Sequence, residues 1–195
     1  TRMNVAGRMT TFTYDSKGNR TSETDAAGNV TTYTFDANNR AISRSRNRVL
    51  AGGGTSIEAV TTKRDAEGRP VEQTDALGAI TKIAYNLGGQ VVARTDASGR
   101  TTKYEYDART KLSRTIYPDG TAESLTYDAE GNLVTETDRV GRVTRHDYDA
   151  LNRRVKTTFA DGSSNAWEFD AIGRVLATID ANGNRVTNEY DAGGR

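Results

Sequence analysis

Aspartate is the residue whose type and spacing in this sequence could do chemistry. Asp15, Asp36, Asp65, Asp107, Asp128, Asp149, Asp170 and Asp191 recur in one column, with Asn86 taking the place once. A second column adds Asp25, Asp75, Asp96, Asp138 and Asp180. Carboxylates at fixed spacing invite a cation, but calcium wants six to eight oxygens converging on one point. Here the residues recur every ten or eleven positions and a glycine follows three places later. The pairs are Asp15–Gly18, Asp25–Gly28, Asp65–Gly68, Asp75–Gly78, Asp96–Gly99, Asp128–Gly131, Asp138–Gly141, Asp170–Gly173 and Asp180–Gly183. The calcium-binding β-roll repeats every nine residues instead. An Asp that accepts hydrogen bonds from nearby backbone N–H groups and a Gly at positive φ make a turn. These residues are therefore read as structural turn residues, with no metal and no cofactor.

His146 is the only histidine, and Asp147 adjoins it. A general base needs a nucleophile and an orienting partner. His146, however, fills a position that Tyr104 and Trp167 fill 42 residues before and 21 after, and a functional residue should break such a pattern. No catalytic residue is assigned, and the chain is not expected to be an enzyme. Gly52-Gly53-Gly54 lacks the Gly-Lys-Ser/Thr of a phosphate cradle and reads as a flexible loop.

The aromatic residues also fall in columns. One, just before the opening Asp, holds Tyr14, Phe35, Tyr85, Tyr106, Tyr127, Tyr148, Phe169 and Tyr190, with Arg64 as the exception. Two residues earlier stand Phe12, Tyr33, Tyr104 and Trp167, alongside Thr62, Ile83, Leu125, His146 and Asn188. Residues two apart share one face of a strand, so the columns form an aromatic stripe. It could stack carbohydrate. Cross-strand packing needs the same residues at the same spacing and is preferred, since the ladder is continuous.

The elements that position these columns follow from one 21-residue stretch, Asp128 to Tyr148, which holds two Asp-x-x-Gly turns. The opening positions are 21 residues apart throughout, except for 29 between Asp36 and Asp65. Residues 1–195 thus read as one array of about nine copies, with eight residues inserted within 46–56. A third column, Ile42, Val71, Val92, Val134, Val155 and Leu176, marks the second strand of each copy, with Thr21 and Ser113 as weak members. Dense threonine and aromatic residues favour strand. Asp119-Gly120 and Asp161-Gly162 read as shorter variants of the second turn. The expectation is an all-β protein: a long antiparallel meander of about eighteen strands, forming a coiled strip or part of a hollow β-shell or barrel.

Composition agrees. Val, Ile, Leu and Phe number 32 of 195 residues, below the roughly 20% that a packed core needs. The formal net charge of +1 gives no basic stripe for nucleic acid. No apolar run approaches the length of a membrane span. There is no cysteine, hence no disulfide. Gly7 stands in register with Gly28 and the sequence ends on Gly194-Arg195 in mid-repeat, so it reads as a piece of a longer array. Unpaired edges would favour self-association.

The recurring Tyr-Asp-x-x-Gly-Arg pattern resembles the Rhs/YD-repeat family. It stands here as Tyr127-Asp-Ala-Glu-Gly-Asn, Phe169-Asp-Ala-Ile-Gly-Arg and Tyr190-Asp-Ala-Gly-Gly-Arg, with Thr95-Asp-Ala-Ser-Gly-Arg as the half-repeat. The resemblance implies a β-strip spiralling into a hollow shell. It also implies a secreted or cell-surface bacterial parent, such as a polymorphic toxin, a type VI effector or part of a Tc toxin, whose C-terminal toxic domain lies inside. The partner would be the rest of the parent chain, and related wall-associated repeats leave carbohydrate as a possible ligand. The family's autoproteolytic site lies near Asp-Pro-x-Gly-Leu-type motifs. The only prolines here, Pro70 and Pro118, stand in other contexts, so self-cleavage does not carry over. The leading reading is a non-enzymatic segment of a toxin-enclosing shell. The alternative is a surface-exposed carbohydrate-binding or adhesion module.

Overall fold

Turn chemistry decides this fold. The computed structural model describes residues 2–3, 9–50, 55–191 and 193–194; Gly7, the Gly52–Gly54 run and Arg195 lie outside the described residues. Those residues contain eighteen strands and no helix. They divide into two units, one up to Thr101 and one from Thr102.

In the first unit, β1 (Arg2–Met3), β2 (Met9–Tyr14), β3 (Arg20–Thr24), β4 (Val30–Phe35) and β5 (Ala41–Val49) are followed by β6 (Thr55–Arg64), β7 (Pro70–Thr74), β8 (Ile80–Tyr85) and β9 (Val91–Thr95). Each strand pairs antiparallel with the next. The second unit repeats the pattern with β10 (Thr101–Tyr106), β11 (Leu112–Ile116), β12 (Ala122–Tyr127), β13 (Leu133–Thr137), β14 (Val143–Tyr148), β15 (Arg154–Thr158), β16 (Ser164–Phe169), β17 (Val175–Ile179) and β18 (Arg185–Thr187). Both units are meanders.

Every Asp, Asn86, Tyr117 and Phe159 turn among the described residues has one geometry. The amide of the fourth residue donates to the carbonyl of the first, as Gly18 does to Asp15 at 3.1 Å, and Asp15 N–H donates to Asn19 O at 2.9 Å. That is a type I turn closed by a residue in the left-handed region. Asp15 Oδ1 accepts the amides of Lys17 and Asn19 at 2.9 and 2.8 Å. Tyr117-Pro118-Asp119-Gly120 and Phe159-Ala160-Asp161-Gly162 close the same way. They are not shorter turns: Tyr117 and Phe159 simply occupy the Asp position, and the carboxylate moves two residues on.

The left-handed position is glycine in most turns, with φ from +78° to +92°, and Asn39 (+61°) or Asn152 (+60°) in two. At Thr110 it is a β-branched residue with φ +67°, which sterics disfavour. Replacing Thr110 with glycine should relieve that strain and, after the entropy lost by glycine, stabilise the protein by about 1 kcal/mol. Chemical denaturation of Thr110→Gly against the parent measures it.

The third apolar column has an unexpected role. Thr13 faces Ser22 and Tyr14 faces Arg20, so the register skips Thr21. The same step skips Ile42, Val71, Val92, Ser113, Val134, Val155 and Leu176. This column is a β-bulge repeated in every copy, a device that bends and twists the strand. The inserted residues differ too. β5 and β6 are nine and ten residues long, and Arg46 to Val49 pair with Glu58 to Thr55. Most of the insertion is therefore extra strand, because Ser/Arg alternation meets Ser/Ile/Glu/Ala alternation in register.

No apolar core is buried in the usual sense. Ala177 is the one buried hydrophobic residue among those described, and no large side chain is fully enclosed. The surface measures 13015 Å², against roughly 9,000 Å² for a folded monomer of this mass. Cohesion has to come from contacts between copies.

Candidate functional site

Those contacts repeat at the turn that opens each copy. The Asp carboxylate binds the residue four places on: Arg69 Nε donates to Asp65 Oδ2 at 2.7 Å, and Arg174 Nε to Asp170 Oδ2 at 2.6 Å. The guanidinium so held lies over the aromatic ring of the next copy. Arg69 covers Tyr85 at 4.5 Å, Arg153 covers Phe169 at 4.7 Å, and Arg174 covers Tyr190 at 4.5 Å. Lys111 does the same over Tyr127 at 4.9 Å and also donates to Gly131 O at 2.8 Å. The tyrosine completes the link by donating backwards. Tyr85, Tyr127, Tyr148 and Tyr190 hydroxyls reach the carbonyls of Pro70, Leu112, Leu133 and Val175 at 2.8–3.0 Å. Each residue of the Tyr-Asp-x-x-Gly-Arg pattern thus has a partner within or across copies.

Where the fourth residue is asparagine, the link takes another form. Asn19 Nδ2 donates to Asp15 Oδ2 and to Asn39 Oδ1, and Asn132 Nδ2 donates to Asp128 Oδ2 and to Asn152 Oδ1. Asn39 and Asn152 are the two asparagines that replace the turn glycine. At that position each offers a side-chain amide oxygen that accepts from the asparagine of the preceding copy.

Arg64, the exception in the aromatic column, is explained by position. Its Nη2 donates to Ala41 O at 3.3 Å, the carbonyl that corresponds to the tyrosine acceptors once eight inserted residues are counted. Its Nη1 donates to Gly68 O at 3.0 Å, while Nε is buried without a partner. Removing the hydroxyl from an ordinary link gauges its strength: Tyr148→Phe should cost about 1 kcal/mol, read from the urea midpoint.

The other aromatic column lies on one sheet face, where direct partners set Phe12 against Glu23, Leu125 against Glu136 and Trp167 against Thr178. Tyr33 pairs with Arg44 and Tyr104 with Thr115 on that face. Arg20 lies between Phe12 and Tyr33 at 5.6 and 5.0 Å, and Arg154 over Trp167 at 5.2 Å. Many aromatic faces are therefore already in contact with cations of the chain. The opposite face carries hydroxyl pairs, Thr13–Ser22, Thr34–Ser43 and Thr126–Thr135, each at 2.6 Å.

His146 is buried at 6% exposure. Its Nδ1 lies 3.0 Å from Thr157 Oγ1, and its Nε2 lies 3.6 Å from Glu136 Oε1. Asp147 points to the other face, opposite Lys156, and does not orient the ring. Hydroxyl, imidazole and carboxylate stand in the order of a nucleophilic site, an arrangement that adjacency in sequence did not reveal. Thr157 is only 5% exposed, so a substrate carbonyl has no approach to its oxygen. Among the described residues no group of three His, Cys, Asp or Glu could hold a metal ion. The turn carboxylates point into their own turns. A groove of about 560 Å³ lies beside this cluster in the second unit, lined by Leu125 and Phe159, by the carboxylates of Glu123, Glu136, Asp138 and Asp161, and by Arg142, which pairs with Asp138.

A family model described as RHS Repeat matches residues 1–30, 14–55, 85–122 and 127–164, together more than half of the chain. No curated protein matches. Among solved structures, the fold resembles the crystal structure of TcdB2-TccC3, with TM-score 0.61 and 16% identity over 88% of this chain and 11% of that one. It also resembles a Tc holotoxin pore from Photorhabdus luminescens, with TM-score 0.58 and 14% identity over 95% of this chain and 14% of that one. A TcdB2-TccC3-Cdc42 crystal structure gives TM-score 0.56 and 13% identity, over 88% and 13% of the respective chains. The chain spans less than one sixth of these structures.

Proposed function

Because this chain belongs to the RHS repeat family, we propose that it is a structural segment of an Rhs shell that encloses a toxic domain linked to the same parent chain. The observation that carries the reading is that, within each unit, successive copies are linked by recurring Tyr, Asp and Arg or Asn contacts. A sheet without a core of its own is built to extend, and its repeated bulge supplies curvature. The reading makes the segment non-enzymatic and places the parent outside the bacterial cell. Its partner is the remainder of the parent chain, and isolated sheet edges associate with one another.

The test uses the parent protein. A domain enclosed by the array resists protease while the shell is folded and is digested once links between copies are broken by paired Tyr→Ala substitutions at Tyr127 and Tyr148. Equal digestion of that domain in both proteins would overturn the proposal. A carbohydrate-binding role is disfavoured because cations of the chain already lie over Tyr85, Tyr127, Phe169, Trp167 and Tyr190. Glycan binding abolished by Trp167→Ala would reverse that preference.

A further inference from the structure

An aromatic residue replaces the aspartate at two positions of the second Asp column, and the surroundings of one are a template for the other. Tyr117 stands 21 residues after Asp96, and Phe159 stands 21 after Asp138. Around Tyr117 the chain provides a complete seat for a guanidinium. Arg139, from the next turn, lies 4.3 Å over the ring, pairs with the Asp119 carboxylate and donates from Nε to Thr121 Oγ1 at 2.8 Å. Thr121 is itself held by Asp119, through its amide at 3.0 Å and its hydroxyl at 2.7 Å.

Around Phe159 the same groups recur. Asp161 takes the place of Asp119, and Ser163 takes the place of Thr121. Asp161 accepts the amide of Ser163 at 2.9 Å and its hydroxyl at 2.7 Å. These two bonds hold the Asp161 carboxyl below its ordinary range, so it is ionised at neutral pH. The residue that corresponds to Arg139, however, is Ala181. Among the described residues no guanidinium or ammonium lies over the Phe159 ring and Asp161 joins no ion pair, while the ring is 37% exposed. Glu123 and Glu136 in the groove alongside add negative charge and form no contact with Lys or Arg. Aromatic face, carboxylate and hydroxyl are present, and the cation is not. Arginine suits this trio better than lysine, because a planar guanidinium stacks and donates sideways at once.

We propose that Phe159, Asp161 and Ser163 form a seat for an arginine side chain of a polypeptide outside this stretch of sequence. The inference stands independently of the shell reading. The probe is a fluorescent tetra-arginine peptide followed by anisotropy at physiological salt, with tetra-lysine as the comparison. Saturable binding is expected, weakened about tenfold by Phe159→Ala and by Asp161→Asn. The decisive variant is Ala181→Arg, which supplies the guanidinium from within. It should abolish peptide binding, keep the β-sheet circular dichroism and raise the melting midpoint. Unchanged binding to Ala181→Arg, equal binding of tetra-lysine, or no saturable binding at all would each overturn the proposal.

Discussion

Acidification is expected to unfold the protein steeply below about pH 4, with little change in stability between about pH 7 and pH 5. Twelve aspartates have pKa values held below the ordinary 3.8. In Asp15, Asp25, Asp170 and Asp180 the leading cause is the side-chain hydrogen bond from Asn19, Asn29, Arg174 or Asn184. In Asp36, Asp96 and Asp138 it is the backbone N–H of Arg40, Arg100 or Arg142. In Asp65, Asp128 and Asp149 burial pushes the pKa up, and hydrogen bonds within the turn outweigh it. A depressed carboxylate keeps its full contribution above the unfolded pKa and loses it as pH falls through the folded one. Between those values the unfolded chain binds more protons, so lowering the pH drives unfolding. Many carboxylates shift in the same direction, so unfolding takes up many protons at once, which makes the transition steep. Circular dichroism from pH 7 to pH 2 measures it. A structure unchanged at pH 2 would show that the turn carboxylates contribute nothing.

The second large effect is expected at Gly68. An alanine there would put Cβ on Arg40 Nη1 and 2.6 Å from its Cζ, with the backbone at φ +88°. Gly18 has nearly the same φ, +85°, and open space around it. Gly18→Ala should therefore cost only the left-handed backbone strain, about 1–2 kcal/mol. Gly68→Ala should cost more than that, because Arg40 must also leave its place between copies. Adding Arg40→Ala separates the two contributions. If Gly68→Ala and Gly18→Ala proved equally destabilised, the contact between Arg40 and the next copy would carry no energy.

The turns were legible in the sequence because their chemistry is local. Asp followed by Gly three residues later closes the same hairpin wherever it occurs, so strand number and the antiparallel meander follow from spacing. The same locality explains the misreading of Tyr117 and Phe159. A missing Asp looks like a shortened turn until hydrogen bonds show that the loop length is unchanged. The inserted residues show the same limit: spacing places them within 46–56, whereas the pairing that lengthens β5 and β6 depends on a partner strand.

The feature that first suggested chemistry, the Asp columns, was assigned by the sequence alone to turns, and the hydrogen bonds give the carboxylates from Asp15 to Asp180 in these columns partners inside their own turns. Spacing determined the repeat, its period, the strands and the family resemblance, because these depend on residues close together in the chain. Only the tertiary structure decided what the +4 residue does, since its aromatic or asparagine partner lies in the next copy. It alone showed that the Val/Leu column is a bulge, that Arg64 replaces a tyrosine hydroxyl, and that Phe159 has the seat but not the cation. The bulge is set by pairing across one hairpin, and the others are relations between atoms some 15 to 23 residues apart in sequence; all are fixed by sheet register rather than by local preference.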